Sequence, residues 1–223
     1  MYLFPCFVRV HARVRAGAGK TTTVSILTGL IAPTAGDAVV FGASVVNDIA
    51  RIRDMTGVCP QHDILFDDLT VEEHLQLFGG LKGLRGVELM HRMNEMLTDL
   101  GLQEKRNARA STLSGGQKRR VSVAIAMMGD PRLLLLDEPT SGLDPAARRQ
   151  VWGMIQKHKQ GRVIILTTHF MDEADILGDR IALMARGRLR VAGSSLYLKK
   201  KFGAGYHLSV LLPALATAPS SSA

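Results

Sequence analysis

Cysteine is scarce in this sequence. Cys6 and Cys59 are the only two, which excludes the disulfide framework of a small secreted scaffold and reads as two reduced thiols in a cytosolic compartment. Long apolar runs are missing as well. No window reaches the roughly 18 to 20 apolar residues that carry a helix across a bilayer, so no membrane-spanning helix is expected. The opening MYLFPCFVRVHARVR has one short apolar patch and no acid. The patch is too short for a secretory core and lacks a spacer or cleavage signal, so no leader is expected. Heptad repeats are absent too, which leaves no place for a long coiled coil. Acid is in deficit, with 20 Asp and Glu against 28 Lys and Arg and a formal charge of +8. That balance suits nucleic acid, an anionic membrane surface or a phosphorylated ligand alike. Apolar residues as a class are plentiful: at 46% of the 223 residues they suffice for the core of one domain with a helical insertion.

The most specific text lies between Leu113 and Asp144, reading LSGGQ, then a helix length, then LLLLDEPTSGLD. Ser114, Gly115 and Gly116 at the mouth of a helix offer a hydroxyl and several N–H groups to an anion, with no β-carbon on the glycines to obstruct it. Such a mouth binds phosphate. Four leucines followed by Asp137 and Glu138 predict a buried parallel strand that delivers two carboxylates to its C-terminal edge, where α/β sheets hold ligands. One carboxylate suits magnesium and the other suits water. In the helix that Gln117 opens, Lys118, Arg119 and Arg120 are expected to face outward, and Val121, Ala124, Ile125 and Met128 inward.

Upstream, RAGAGKTTT places Gly17, Gly19, Lys20 and Thr21 on the last part of the phosphate-loop pattern G-x-x-x-x-G-K-[ST]. Backbone N–H groups there cradle phosphate, Lys20 reaches the β- and γ-phosphates, and Thr21 ligates magnesium. A helix over Thr21–Leu30 follows, with Val24, Leu27 and Ile31 at helical spacing. Gln61 comes after a short apolar strand and Pro60, where its amide suits a γ-phosphate sensor. Residues 70 to 107 read as helical. Thr70 and Glu73 form a capping box, and Leu75, Leu77, Phe78, Val87, Met90, Met93, Met96 and Leu97 form an apolar face. GRVIILTTH predicts another buried strand, with His169 at its ligand-facing end. IALMARGRLRVAG alternates about Gly187 like a hairpin.

A phosphate loop, Gln61, LSGGQ, DEPTSGLD and His169 in that order resemble the nucleotide-binding domain of an ATP-binding-cassette transporter. The match runs over residues 17–209. LSGGQ decides it, because other phosphate-loop ATPases and GTPases lack that element. VCPQHDILFD, LTTHFMDEAD, LGDRIALMA and KKKFGAGYHLSV look like subfamily A, the lipid exporters, and are most similar to a first nucleotide-binding domain of the surfactant-lipid type. The resemblance implies an α/β fold, a P-loop NTPase core with a mostly parallel sheet and an inserted all-helical subdomain over about 70–128. The family's N-terminal antiparallel strands are largely missing. It implies ATP and Mg2+, with Gly17, Ala18, Gly19, Lys20, Thr21 and Thr22 at the phosphates. Thr21, Gln61 and Asp137 would set the magnesium, Glu138 would polarise the attacking water, and His169 would contact the γ-phosphate. Ser114, Gly115, Gly116 and Gln117 would touch ATP held by an opposite domain, with Asp144 in the loop that crosses between them. The implied partners are a second nucleotide-binding domain, head to tail, and transmembrane domains absent from this chain. No nucleic acid is expected, and the implied place is the cytoplasmic face of a membrane, or the cytoplasm for a fragment standing alone.

Two departures accompany the resemblance. Val14 occupies the first glycine position of the phosphate loop, and valine resists the dihedrals that glycine reaches. The stretch before it is too short for the two strands and the adenine-stacking aromatic of the family. Residues 1–16 are therefore expected to fall outside the family, as in a spliced, truncated or rearranged copy, and residues 210–223 to form a disordered tail. Lost stacking and the lost glycine are expected to weaken ATP binding by roughly ten- to a hundredfold. Two rival readings stand beside the transporter ATPase. One is a catalytically impaired fragment that only binds partners. The other is a cassette ATPase acting on nucleic acid or ribosomes, which the basic charge allows and the missing second cassette or coiled coil disfavours.

Overall fold

A computed structural model describes residues 8–12, by their backbone, and residues 18–203. Along the chain come strand β1 (Val8–Ala12), helix α1 (Lys20–Leu27), strands β2 (Val39–Val40) and β3 (Ala43–Ser44), helix α2 (Ile49–Asp54) and strand β4 (Thr56–Cys59). Helices α3 (Val71–Leu81), α4 (Gly86–Asp99) and α5 (Gly115–Met127) follow, with two 3₁₀ turns between the last two. The rest alternates: β5 (Leu133–Asp137), α6 (Pro145–Lys157), β6 (Val163–Thr168), α7 (Met171–Leu177), then the hairpin β7 (Arg180–Ala185) and β8 (Arg188–Gly193), and α8 (Ser195–Phe202).

Six strands form one sheet in the order β4-β5-β6-β1-β7-β8, parallel except for β8. The strand at Val8–Ala12 has no counterpart among the elements expected from the sequence. The segment set apart as outside the family supplies a strand near the middle of the sheet, hydrogen-bonded between β6 and β7. Register then sets the site. Ala12 pairs with Thr168, Asp137 with Thr167, and Cys59 with Leu136. The carboxyl ends of β1, β4, β5 and β6, and with them Gln61, Glu138 and His169, lie at one edge, the edge where such sheets hold ligands.

Strand β5 is buried along its whole length. Leu134 and Leu136 belong to the main core with the helical insertion, α6 and α7, while Leu133 and Leu135 pack with Val24 of α1 on the other face. Helices on both faces explain four leucines in a row with no polar alternation. Strand β4 meets α5 closely. A β-carbon at Gly57 would lie 1.9 Å from the Ala126 carbonyl oxygen, so only glycine lets the helix lie this near the strand.

The helical insertion begins as its sequence predicts. Thr70 Oγ1 accepts from the Glu73 N–H, and a Glu73 carboxylate oxygen accepts from the Thr70 N–H at 2.7 Å. Its apolar face is narrower than the pattern suggests: Leu75, Met93, Met96 and Leu97 are core, whereas Leu77, Val87 and Met90 are exposed. Helix α1 likewise stops at Leu27, leaving Leu30 and Ile31 in exposed chain beyond it. Among the described residues no helix is long and apolar enough to cross a membrane.

Candidate active site

Gly19 has φ 94 and caps α1, with Lys20 as the first helical residue. A β-carbon at Gly19 would sit 3.3 Å from Gly187 in the β7–β8 turn, and the Gly187 N–H donates to the Ala18 carbonyl. The hairpin thus braces the end of the phosphate loop from below. Thr21 and Thr22, in the first turn, are exposed. A helix start of this kind directs N–H groups and positive potential at an anion. Gly17 and Val14 lie outside the described residues.

Glu138 is the centre of the site. One carboxylate oxygen is 3.3 Å from Lys20 Nζ and the other 3.3 Å from His169 Nδ1. Its backbone is left-handed at φ 50, a conformation that costs a non-glycine residue about 1–3 kcal/mol and needs support from its surroundings. Thr167 gives that support. The Glu138 N–H donates to both the Thr167 carbonyl at 3.0 Å and the Thr167 hydroxyl at 3.1 Å. The same hydroxyl donates to Asp137, whose carboxylate is buried. One threonine orients both acids, and only its neighbour His169 was singled out from the sequence. His169 is about half exposed and lies at a tilt against Phe170, their ring centroids 4.0 Å apart, and the Arg148 guanidinium lies over the Phe170 ring.

The signature and the crossing loop are built as helix caps. The Ser114 hydroxyl accepts from the Gln117 N–H and the Gln117 side chain accepts from the Ser114 N–H. Ser114 and Gly115 are exposed at the head of α5. Asp144 caps α6 by accepting from the Ala147 and Ala146 N–H groups, and these bonds hold its carboxyl below the ordinary 3.8. Among the described residues no hydrogen bond or ion pair joins Ser114–Gln117 or Asp144 to Lys20, Glu138 or His169. The structure brings together Lys20, Asp137, Glu138 and His169 through the contacts of Glu138 and Thr167. An apolar cavity of about 380 Å³ lined by Leu27, Ile52, Phe78 and Ile125 opens beside the start of β4, at the far edge of the sheet from Gln61.

One expectation fails in α5. Lys118 and Arg120 are partly exposed, but Arg119 is buried, with its guanidinium bonded to the Gln61 loop and to the turn after β5. The reason is that α5 is enclosed by the sheet, α3, α4 and α6, so three consecutive cations cannot share one solvated face. Helical spacing carried that signal, since Arg119 stands four residues before the buried Val123 and shares its face of the helix. The oxygen donors of Thr21, Gln61 and Asp137 suit a hard cation such as Mg2+, which takes carboxylate, hydroxyl, amide oxygen and water.

The ABC transporter family model matches residues 15–141. The phospholipid-transporting ATPase ABCA3 of Homo sapiens is 53% identical over 195 residues, covering 87% of this chain and 11% of that protein. The ABC transporter A family member 11 of Arabidopsis thaliana is 53% identical over 196 residues, 87% of this chain and 21% of its own length. This chain spans about a tenth of the mammalian relatives it matches. Among solved structures, an ATP-binding subunit of an ABC transporter superposes with TM-score 0.80 at 28% identity, covering 90% of this chain and 85% of the other. A dimeric post-hydrolysis state of the ATP-binding cassette MJ0796, bound to ADP and Pi, gives 0.76 at 26% identity, with 85% of each chain covered. With the family model over more than half its length and the site of Lys20, Asp137, Glu138 and His169 on one sheet edge, the chain belongs to the ABC transporter family and carries its ATPase domain.

Proposed function

We propose that this chain binds and hydrolyses ATP, pairs head to tail with a second nucleotide-binding domain around that ATP, and powers lipid transport through membrane domains it does not itself contain. The observation that carries the reading is Glu138 held between Lys20 and His169 at the head of α1. A phosphate arriving at the α1 N-terminus competes with Glu138 for the Lys20 ammonium. Its binding moves Lys20 onto phosphate and leaves the Glu138 carboxylate to accept a proton from water, while His169, 3.3 Å from Glu138, faces the transferred group. Phosphoryl transfer needs chiefly positioning and charge neutralisation, and those groups supply both. Thr21, Asp137 and Gln61 would hold Mg2+, which when bound neutralises phosphate charge. Gly17 to Thr22 would cradle the phosphates.

Ser114, Gly115, Gly116 and Gln117 would act on ATP held by the partner, with Asp144 at the crossing. Support comes from the exposure of the α5 head, its separation from Lys20, and the dimeric form of the matched cassette. Lipid as cargo is supported by the phospholipid-transporting name of the matched relatives, and a membrane's cytoplasmic face is the place such a module would work. Titration calorimetry of the full chain with ATP and Mg2+ tests the binding step. The expected result is saturable binding that Lys20→Ala removes. Binding unchanged by Lys20→Ala, or no binding by the unaltered chain, contradicts it.

A further inference from the structure

The guanidinium of Arg119 has all three nitrogens engaged, and every acceptor but one is a main-chain oxygen of a site segment. Nη1 donates to the Pro60 carbonyl at 2.6 Å, the Gln61 carbonyl at 3.2 Å and the Asp63 carboxylate at 3.1 Å. Nη2 donates to the Asp137 carbonyl at 2.5 Å and the Glu138 carbonyl at 2.9 Å, and Nε to the Pro139 carbonyl at 3.2 Å. The side chain is 4% exposed. We infer that Arg119 is a positioning residue: it fastens the signature helix α5 at once to the Gln61 loop and to the Asp137–Glu138 turn, so that a movement of the helical insertion moves the reacting carboxylate.

The inference rests on the ATPase reading for its catalytic consequence and on geometry for its mechanics. A buried guanidinium is tolerated only where its donors are met. Here they are met by two separate chain segments, each of which carries a proposed site group. A planar fork can hold two segments in fixed relation, whereas a lysine has one nitrogen on a flexible stem and cannot reproduce that relation. Asp63 is the one carboxylate bonded to it. The far end of α5 is fixed independently, by its close approach to Gly57. Helix α5 is therefore held to the sheet along its length, and Arg119 is where that hold reaches the site.

Hydrogen exchange and steady-state ATP turnover of the full chain test this, with Arg119→Met, Arg119→Lys and Asp63→Asn. Arg119→Met is expected to speed exchange in segments 60–66 and 138–141 and leave β6 and α6 as they are. It should lower kcat by about a hundredfold, the cost of a misplacement near 1 Å, while the KM for ATP stays within about threefold because Lys20 is untouched. Arg119→Lys, which keeps the charge, should reproduce most of the kcat loss, and Asp63→Asn should loosen only 60–66. Should Arg119→Met fail to fold, the lysine and Asp63→Asn variants decide. Unchanged exchange in both segments overturns the inference, as does a loss confined to KM. If the unaltered chain shows no ATP turnover, the ATPase reading falls and exchange in the two segments alone judges the positioning.

Discussion

Thr167 does more at this site than its place in the sequence announces. Its hydroxyl donates to Asp137 and accepts from the Glu138 N–H, so it holds one acid buried and the other in a left-handed turn. Thr167→Val keeps the shape and removes the hydroxyl. It is expected to cost about 1–3 kcal/mol of stability through the unpaired buried carboxylate, and to lower the rate of ATP hydrolysis by about ten- to a hundredfold while ATP binding holds. Urea unfolding and initial-rate assays check the two halves. At this scale placement was legible where a residue type has few uses: Lys20 at a helix start, two acids closing an apolar strand, histidine just past a strand end. It was unreadable where the role belongs to packing. Nothing in LTTH separates Thr167 from Thr168, and KRR looks like a surface run until the enclosure of α5 draws Arg119 inside.

Between elements, the helical insertion is held to the core partly by polar side-chain contacts. Lys157 and His158, at the end of α6, reach Asp99 on α4 at 2.9 and 2.7 Å. Burial tends to raise the Asp99 carboxyl, but the bonds from Lys157 and His158 outweigh it and hold the group below its ordinary 3.8. A carboxyl depressed by folding stabilises the protein above its unfolded value, and that contribution is lost as pH falls through the depressed one. Asp99→Asn is therefore expected to cost about 1–3 kcal/mol at neutral pH and to flatten the fall of stability below about pH 4. Denaturant titrations at pH 7 and in the acid range measure both; equal acid slopes for the two proteins contradict the clamp. Element type and order were legible from periodicity, as the Thr70 capping box and the Gly187 hairpin show. Strand β1 was not, because a short run before a loop says nothing about its neighbours. Only the pairing with β6 and β7 places it mid-sheet.

For the molecule as a whole, the two halves of the proposed chemistry stand apart. Lys20, Asp137, Glu138 and His169 share the carboxyl edge of the sheet, while the exposed heads of α5 and α6 carry Ser114 and Asp144. A second copy or a related domain placed head to tail would bring the halves together. Glu138→Gln, which keeps the shape of the side chain and removes its negative charge, should trap that pair. With ATP and Mg2+ it is expected to show twice the monomer mass by light scattering, and Ser114→Arg added to it should return the mass to a monomer. A monomer in both cases contradicts the pairing. The central claim is that Glu138, poised by Lys20, His169 and Thr167, activates water against bound ATP. The most direct measurement is phosphate release from ATP by the full chain with and without Glu138→Gln. Steady release is expected from the unaltered protein and a fall of about a hundredfold or more in the variant, with ATP still bound; equal rates in the two, or ATP bound and never hydrolysed by either, would contradict that role for Glu138.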